Sequence, residues 1–361
     1  MISRQIYERT LRSFFAPIVP LLDDHEVTEI LINGHQEIVV ERRGKLVATD
    51  LRFDDEEQLV AAIRHLGQFV GRRVDQDQPI LEARFPDGSR VEAVMPPASQ
   101  DGPHLAIRRF SEQKLTMDTL IELGALDQEA AELLRALVTC KQNIIVAGGT
   151  GSGKTSMLNA LSSYIAEDER IIVIEDAREL QLQRSHVVQL EARAADAKGR
   201  GQVSIRDLFR ATLRLRPDRI VIGEIRGGES LELIQAMTSG HGGCMSTVHA
   251  SYPRDTLSRL ETMALMSDVQ LPLAALRSQV ASAINIIVQT SRLSDGSRGI
   301  THISEVLPLD AHGGYQVCDL YRRTIHGSSD GTLISTLDAT GIKPQCWEYM
   351  QALGLAPQER R

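Results

Sequence analysis

A short apolar run, Ile144–Ala147, leads straight into Gly148-x-x-x-x-Gly153-Lys154-Thr155, and a helix-like stretch over Met157–Ile165 follows. This is the P-loop pattern in the local context it needs, with its glycines at a strand-to-helix turn. Glycines let the main chain curl until several N–H groups face one anion, at a helix N-terminus that itself favours negative charge. The expected cradle for a nucleoside triphosphate is Gly148, Gly149, Thr150, Gly151, Ser152, Gly153, Lys154, Thr155 and Ser156. Lys154 is expected to reach the β- and γ-phosphates and the Thr155 hydroxyl to sit on Mg²⁺, so ATP and Mg²⁺ are the expected cofactors.

The strand implied by this motif has company. Over residues 121–305 the apolar runs Ile144–Ala147, Ile171–Ile174, Ile220–Ile222 and Ile284–Val288 alternate with helix-like stretches. That pattern predicts an α/β unit with a parallel sheet covered on both faces. Ligands in such folds lie beyond the carboxyl ends of the strands, where the P-loop is. Ahead of it, Val27–Leu31 and Ile38–Glu41 flank an Asn33-Gly34 turn. A helix headed by Asp54 follows, then strand-like runs at Arg90–Met95 and His104–Phe110. A smaller α+β N-terminal domain is expected over residues 1–112. Residues 113–122 are expected as a linker, and 123–361 as the P-loop domain. After about 306 the pattern weakens, and a flexible loop is expected at His326–Thr332.

Charge and cysteine content weigh against several functions. The net charge of −8 divides evenly, with 15 Lys+Arg against 19 Asp+Glu in residues 1–115 and 25 against 29 in the remainder. Neither part has the basic field of a non-specific nucleic-acid binder, so no direct nucleic-acid contact is expected. Cys140, Cys244, Cys318 and Cys346 lie far apart without a C-x-x-C pair, which indicates neither a zinc site nor a disulfide framework. No apolar run approaches a membrane span, and the N-terminus lacks a secretory h-region. A reducing cytosol is the expected setting.

Chemistry-bearing residues follow from the strand ends. Ile220–Ile222 runs into Gly223-Glu224, and sheet geometry can deliver that carboxylate beside the P-loop to hold a Mg²⁺-bound water or polarise the attacking water. Ile171–Ile174 likewise ends in Glu175-Asp176, with Glu179 one turn on. Glu175 is a candidate general base, and Glu179 an orienting or ion-pairing group. His241 and His249 stand eight residues apart in a small-residue setting with no third metal ligand, which suits sensing of a γ-phosphate better than zinc. Arg206, Arg210 and Arg214 form a stripe at i, i+4, i+8, continued by Arg216, Arg219 and Arg226. The stripe is either an ion-paired face or a source of guanidinium groups for a neighbouring subunit's nucleotide. Arg84, Arg90, Arg108 and Arg109 are candidates for the same work.

Taken together, the stretches EILINGHQEIVVERRGKL, GGTGSGKTSMLNAL, RIIVIEDARELQL, LRLRPDRIVIGEIRGGESLELIQAMTSGHGGCMSTVHA and SRGITHISEV resemble the type II/type IV secretion ATPase superfamily. Within it they look most like the CpaF-type ATPase of tight-adherence (Flp) pilus systems. The resemblance implies a RecA-like P-loop motor domain behind a smaller α+β, PAS-like N-terminal domain. It further implies a homo-hexamer at the cytoplasmic face of the inner membrane, peripheral to it and working on a platform protein. By position, Gly148–Thr155 matches Walker A, Gly223-Glu224 ends Walker B, Glu175-Asp176 matches the acidic box, and His241 with His249 the histidine box. Arg90 and Arg108 stand where this family's N-terminal arginines approach the γ-phosphate. Ser156, Glu82, Gly243-Cys244 and Ser251 depart from the usual tight-adherence residues. The expected activity is ATP hydrolysis driving pilus assembly. A type IV secretion or conjugation ATPase is the alternative, and a nucleotide-binding scaffold with little turnover a third reading.

Overall fold

The computed structural model describes residues 4–42, 44–110, 115–193, 195, 199–269, 271–329 and 331–357. It divides into two compact units, residues 1–113 with 195–202, and residues 114–194 with 203–361. The expected linker falls partly on residues 111–114, which lie outside the described residues, while a helix, Met117–Glu122, occupies its second half.

The first unit holds six antiparallel strands: β1 (Val27–Asn33), β2 (Glu37–Arg42), β3 (Lys45–Ala48), β4 (Ile80–Arg84), β5 (Arg90–Val94) and β6 (His104–Arg108). They are ordered β3-β2-β1-β6-β5-β4. The Asn33-Gly34 signal is answered by a β1–β2 hairpin whose Gly34 takes φ 67°. The helix Glu56–Phe69 is capped by the Asp55 carboxylate, which accepts from Gln58 N at 2.8 Å. Its Leu59, Ala62, Ile63 and Leu66 are buried in one cluster with Ile30, Ile32, Val91 and Ile107 from the sheet. Their 3.6-residue spacing on the helix and two-residue spacing on the strands bring two apolar faces together.

The second unit carries β7 (Ile144–Gly148), β8 (Ile171–Glu175), β9 (Val187–Glu191), β10 (Arg219–Ile222), β11 (Met245–Val248), β12 (Ile286–Arg292), β13 (Arg298–Leu307), β14 (Gln316–Ser329) and β15 (Thr332–Ala339). Their order is β15-β14-β13-β12-β7-β11-β10-β8-β9. The six strands from β12 to β9 are parallel, and β13 to β15 continue antiparallel. Alternate residues of one strand serve different cores. Ile144 and Val146 pack with Leu134, Leu137, Leu158 and Leu161. Ile145 and Ala147 pack with Phe209, Ile234, Leu257 and Val280 on the other face. Continuous Ile/Val runs are what a sheet buried on both sides requires, each such side chain contributing roughly 2–3 kcal/mol on leaving water.

One expectation needs correction, and one strand stands outside the expectations. The segment predicted as a flexible loop at His326–Thr332 is strand on both sides, with β14 running to Ser329 and β15 starting at Thr332; Asp330 lies outside the described residues. Most residues of these strands beyond Tyr321 are exposed on both faces, so no apolar alternation marks them, although Asp330-Gly331 is a hairpin turn signal. The edge strand β9 was also not anticipated. It lies parallel to β8, with its side chains only half-buried.

One buried amide fixes the start of the P-loop strand. Asn143, 5% exposed, accepts from Cys244 N at 3.0 Å and donates to Ala283 O at 2.8 Å, while its own N–H reaches Asn285 Oδ1 at 2.8 Å. It thereby aligns β11, β12 and β7 before they run toward the site. Asn143→Ala would strand a buried N–H and a buried carbonyl, so we expect a loss of about 2–4 kcal/mol in urea denaturation. A loss under about 0.5 kcal/mol, the range of an ordinary surface change, would contradict this role.

Candidate nucleotide-binding site

Parallel register sets the site. With β7, β11, β10 and β8 side by side, their carboxyl ends deliver the P-loop, His249, Glu224 and Glu175 to one end of the sheet. After β7 the backbone turns through Gly151 (φ 68°) and Gly153 (φ 93°), left-handed conformations that glycine adopts without strain, and the helix Lys154–Ser162 begins. Gly148 is required for a different reason: a Cβ there would collide with Ser152 Oγ and with Thr290. Thr290 Oγ1 donates to Ala147 O at 3.1 Å and accepts from Ser152 Oγ at 2.9 Å, and that Oγ also lies 2.9 Å from Gly149 O. The loop is thus braced from β12 before any ligand arrives. Thr290 was missed in the sequence because it lies far along the chain and carries no local signal.

Lys154 is nearly buried, and its Nζ donates to Gly149 O at 2.8 Å. It also lies 3.5 Å from both ring nitrogens of His249. His249 Nε2 is 2.7 Å from Glu224 Oε1, and Arg226 Nε donates to Glu224 Oε2 at 2.6 Å. Burial and then the Lys154 cation pull the His249 pKa below its ordinary value, so the imidazole is neutral near pH 7. Lys154, His249 and Glu224 therefore form one continuous chain from the P-loop to the end of β10.

Glu175 sits differently. It is 3% exposed, and its Oε1 accepts from Glu179 N at 2.8 Å and Leu180 N at 2.9 Å. A Cβ on Gly223 would come within 2.9 Å of its Cγ, so Gly223 leaves it room. Burial raises its pKa to about 7, against the opposing effect of the two amides. Thr155 Oγ1 donates to Glu179 Oε2 at 3.3 Å, which places a hydroxyl and a carboxylate together at the head of the P-loop helix. Asp176 lies 3.7 Å from Arg226 Nη1. The hydroxyl of Thr155 and the nearby carboxylates are hard oxygen donors, a set that fits Mg²⁺.

Several predicted residues of the second unit are not brought to this end of its sheet. His241 precedes β11, with its backbone N–H on Ala236 O and its carbonyl accepting from Cys244 Sγ, at the opposite end of that strand from His249. Eight residues spanning a strand separate the two rings, so His241 does not join the chain of contacts around Lys154. Of the arginine stripe, Arg206 is held by Glu232 and Asp268, and Arg210 by Glu232. Arg219 is buried against Glu169, Val138 O and Gly243 O. These follow the ion-paired reading. In the first unit, Arg84, Arg90 and Arg108 are cross-strand partners in one row over β4, β5 and β6, whereas Arg109 donates to Asp24 O and Val27 O inside its own unit.

The family model for type II/IV secretion system proteins matches residues 13–313. The chain belongs to the type II/IV secretion system ATPase family. A Mycobacterium tuberculosis protein whose name refers it to conjugal transfer is 35% identical over 291 residues, 79% of this chain and 82% of that protein. The type IV secretion system protein VirB11 of Brucella suis is 32% identical over 318 residues, covering 80% and 88%. The Legionella pneumophila ATPase DotB shares the fold, with a TM-score of 0.57 at 19% identity over 83% of this chain and 82% of that one. The second unit is accordingly RecA-like, within an α/β fold.

Glu175 gives a pH signature. Its folded-state value of about 7 stands above the ordinary 4.5, so its neutral form favours folding. That stability is fully present below about pH 4.5 and is lost as pH rises to about 7. Relative to Glu175→Gln, wild type should lose roughly 3 kcal/mol across this window in urea denaturation. Parallel pH profiles for the two proteins would contradict the assignment.

Proposed function

We propose that this chain is the ATP-hydrolysing motor of a type IV secretion-class machine, moving protein or nucleoprotein cargo. The observation that carries the reading is the chain Lys154–His249–Glu224 set against the glycine cradle. In it, Lys154 exchanges the Gly149 carbonyl for the β- and γ-phosphates, and backbone N–H groups of Gly149–Thr155 bind the remaining oxygens. Glu224 orients the attacking water and takes its proton, with Arg226 holding Oε2 and the His249 ring close to Oε1. Mg²⁺ would be held by Thr155, with Glu224 acting through a water, and would supply charge neutralisation on the phosphates. Buried Glu175 anchors the Glu179–Leu180 backbone rather than meeting substrate. His249, neutral between a lysine and a carboxylate, suits sensing of the γ-phosphate.

The names of the relatives, conjugal transfer and type IV secretion, support this class over pilus assembly. The stretches EILINGHQEIVVERRGKL and SRGITHISEV, which resemble tight-adherence ATPases, support a second reading in which the cargo is a tight-adherence pilin. Adjacent genes separate the two: a conjugation cluster or prepilin and platform genes. The proposal includes a homo-hexameric ring at the cytoplasmic face of the inner membrane, attached through a platform protein. No helix among the described residues is long and apolar enough to cross a membrane. The arginine row over β4, β5 and β6 has the chemistry of a phosphate-binding surface.

Phosphate release by the purified full chain tests the motor reading. Lys154→Ala should abolish nucleotide binding, and Glu224→Gln should bind ATP yet turn over at least about a hundredfold more slowly. Wild-type protein that binds ATP without releasing phosphate would leave the scaffold reading instead.

A further inference from the structure

The P-loop has a second flank that the proposed chemistry does not use. Lys154, His249 and Glu224 all lie toward β11, on one side of β7. On the other side, β12 and β13 extend beyond the end of β7, where Thr290 is level with Gly148. Past that point the hairpin pairs Arg292 directly with Arg298. Directly opposed residues of antiparallel strands project from the same face. This face is that of Thr290 and Ile300, and Ile300 belongs to the core on which the P-loop helix packs. Arg298 accordingly reaches the cradle: its Cδ is 3.8 Å from where a Cβ would stand on Gly153.

One feature sets this arginine apart from the structural ones. Arg298 is exposed, and among the described residues no carboxylate pairs with it. The hairpin that carries it is rigid. Asp295 at its turn accepts from Ser297 N at 2.9 Å and from Leu333 N at 2.9 Å, which ties the turn to β15. An exposed guanidinium beside a phosphate cradle, with no carboxylate partner among the described residues, has the properties of an anion clamp.

We propose that Arg298 is a nucleotide-positioning residue that grips the nucleoside-proximal phosphate of the bound triphosphate. The γ-phosphate end is defined by Lys154, His249 and Glu224 on the β11 side, so a group on the β12 side meets the opposite end. The inference rests on the nucleotide-binding reading above and adds the residue that holds the α-phosphate. Such a contact is made equally in the ground state and the transition state, so it governs KM and leaves kcat alone.

The test uses the full chain, with ADP binding by calorimetry and steady-state phosphate release from ATP. Arg298→Ala should weaken ADP binding and raise KM for ATP by about tenfold, with kcat within about twofold of wild type. Arg298→Lys, which keeps the charge, should recover most of the loss, and Arg298→Gln should not. ADP affinity and KM within about twofold of wild type in both Ala and Gln variants would overturn the proposal. So would a loss confined to kcat. In either case, wild type that binds ADP and a Lys154→Ala variant that does not would leave the nucleotide-binding reading standing. Wild type that binds neither ADP nor ATP would overturn both.

Discussion

The parallel alignment of β7, β11, β10 and β8 decides where the acids, the imidazole and the glycine turn come to lie. Each strand is buried on both faces, so none can slip without exposing apolar side chains or exchanging the two cores. Their carboxyl ends are consequently level, and residues far apart in the chain meet within hydrogen-bonding distance. Asn143 secures this arrangement at the opposite end of the sheet by joining the starts of β7, β11 and β12 through its side chain and backbone.

Preorganisation follows from that frame. Ser152 and Thr290 brace the loop from one side, and the Glu224–Arg226 contact fixes the carboxylate on the other. Lys154 rests on the Gly149 carbonyl, a neutral partner. Exchanging that partner for a phosphate oxygen replaces an ammonium–carbonyl hydrogen bond with one between opposite full charges. The neutral His249 beside it keeps a second cation from opposing Lys154. Glu175 works below the surface of the site, where a carboxyl stripped of water organises the turn that carries Glu179 next to Thr155.

Much of this was legible in the sequence because its signals are local. The strand–glycine–helix order of residues 144–165, the acids that follow Ile174 and Gly223, and the Asn33-Gly34 turn each specify their structure within a few residues. Features that depend on distant partners were not. Thr290 and Arg298 reach the P-loop only through the β12–β7 pairing. The β14–β15 hairpin has few buried side chains and so lacks the period-two pattern that reveals strands. His241 and His249 look like a pair in sequence, yet a buried strand between them carries the rings to opposite ends. Arg206, Arg210 and Arg219 of the basic stripe could be resolved into ion pairs only once Glu232, Asp268 and Glu169 were placed against them.

A crystal structure of the full chain with Mg²⁺ and a non-hydrolysable ATP analogue tests the central claim most directly. The account predicts the triphosphate wrapped by the Gly149–Thr155 amides, with Lys154 Nζ moved from the Gly149 carbonyl onto the β- and γ-phosphate oxygens and Glu224 facing the terminal phosphorus. An analogue bound elsewhere, or a Lys154 that stays on Gly149 with the nucleotide in place, would contradict it.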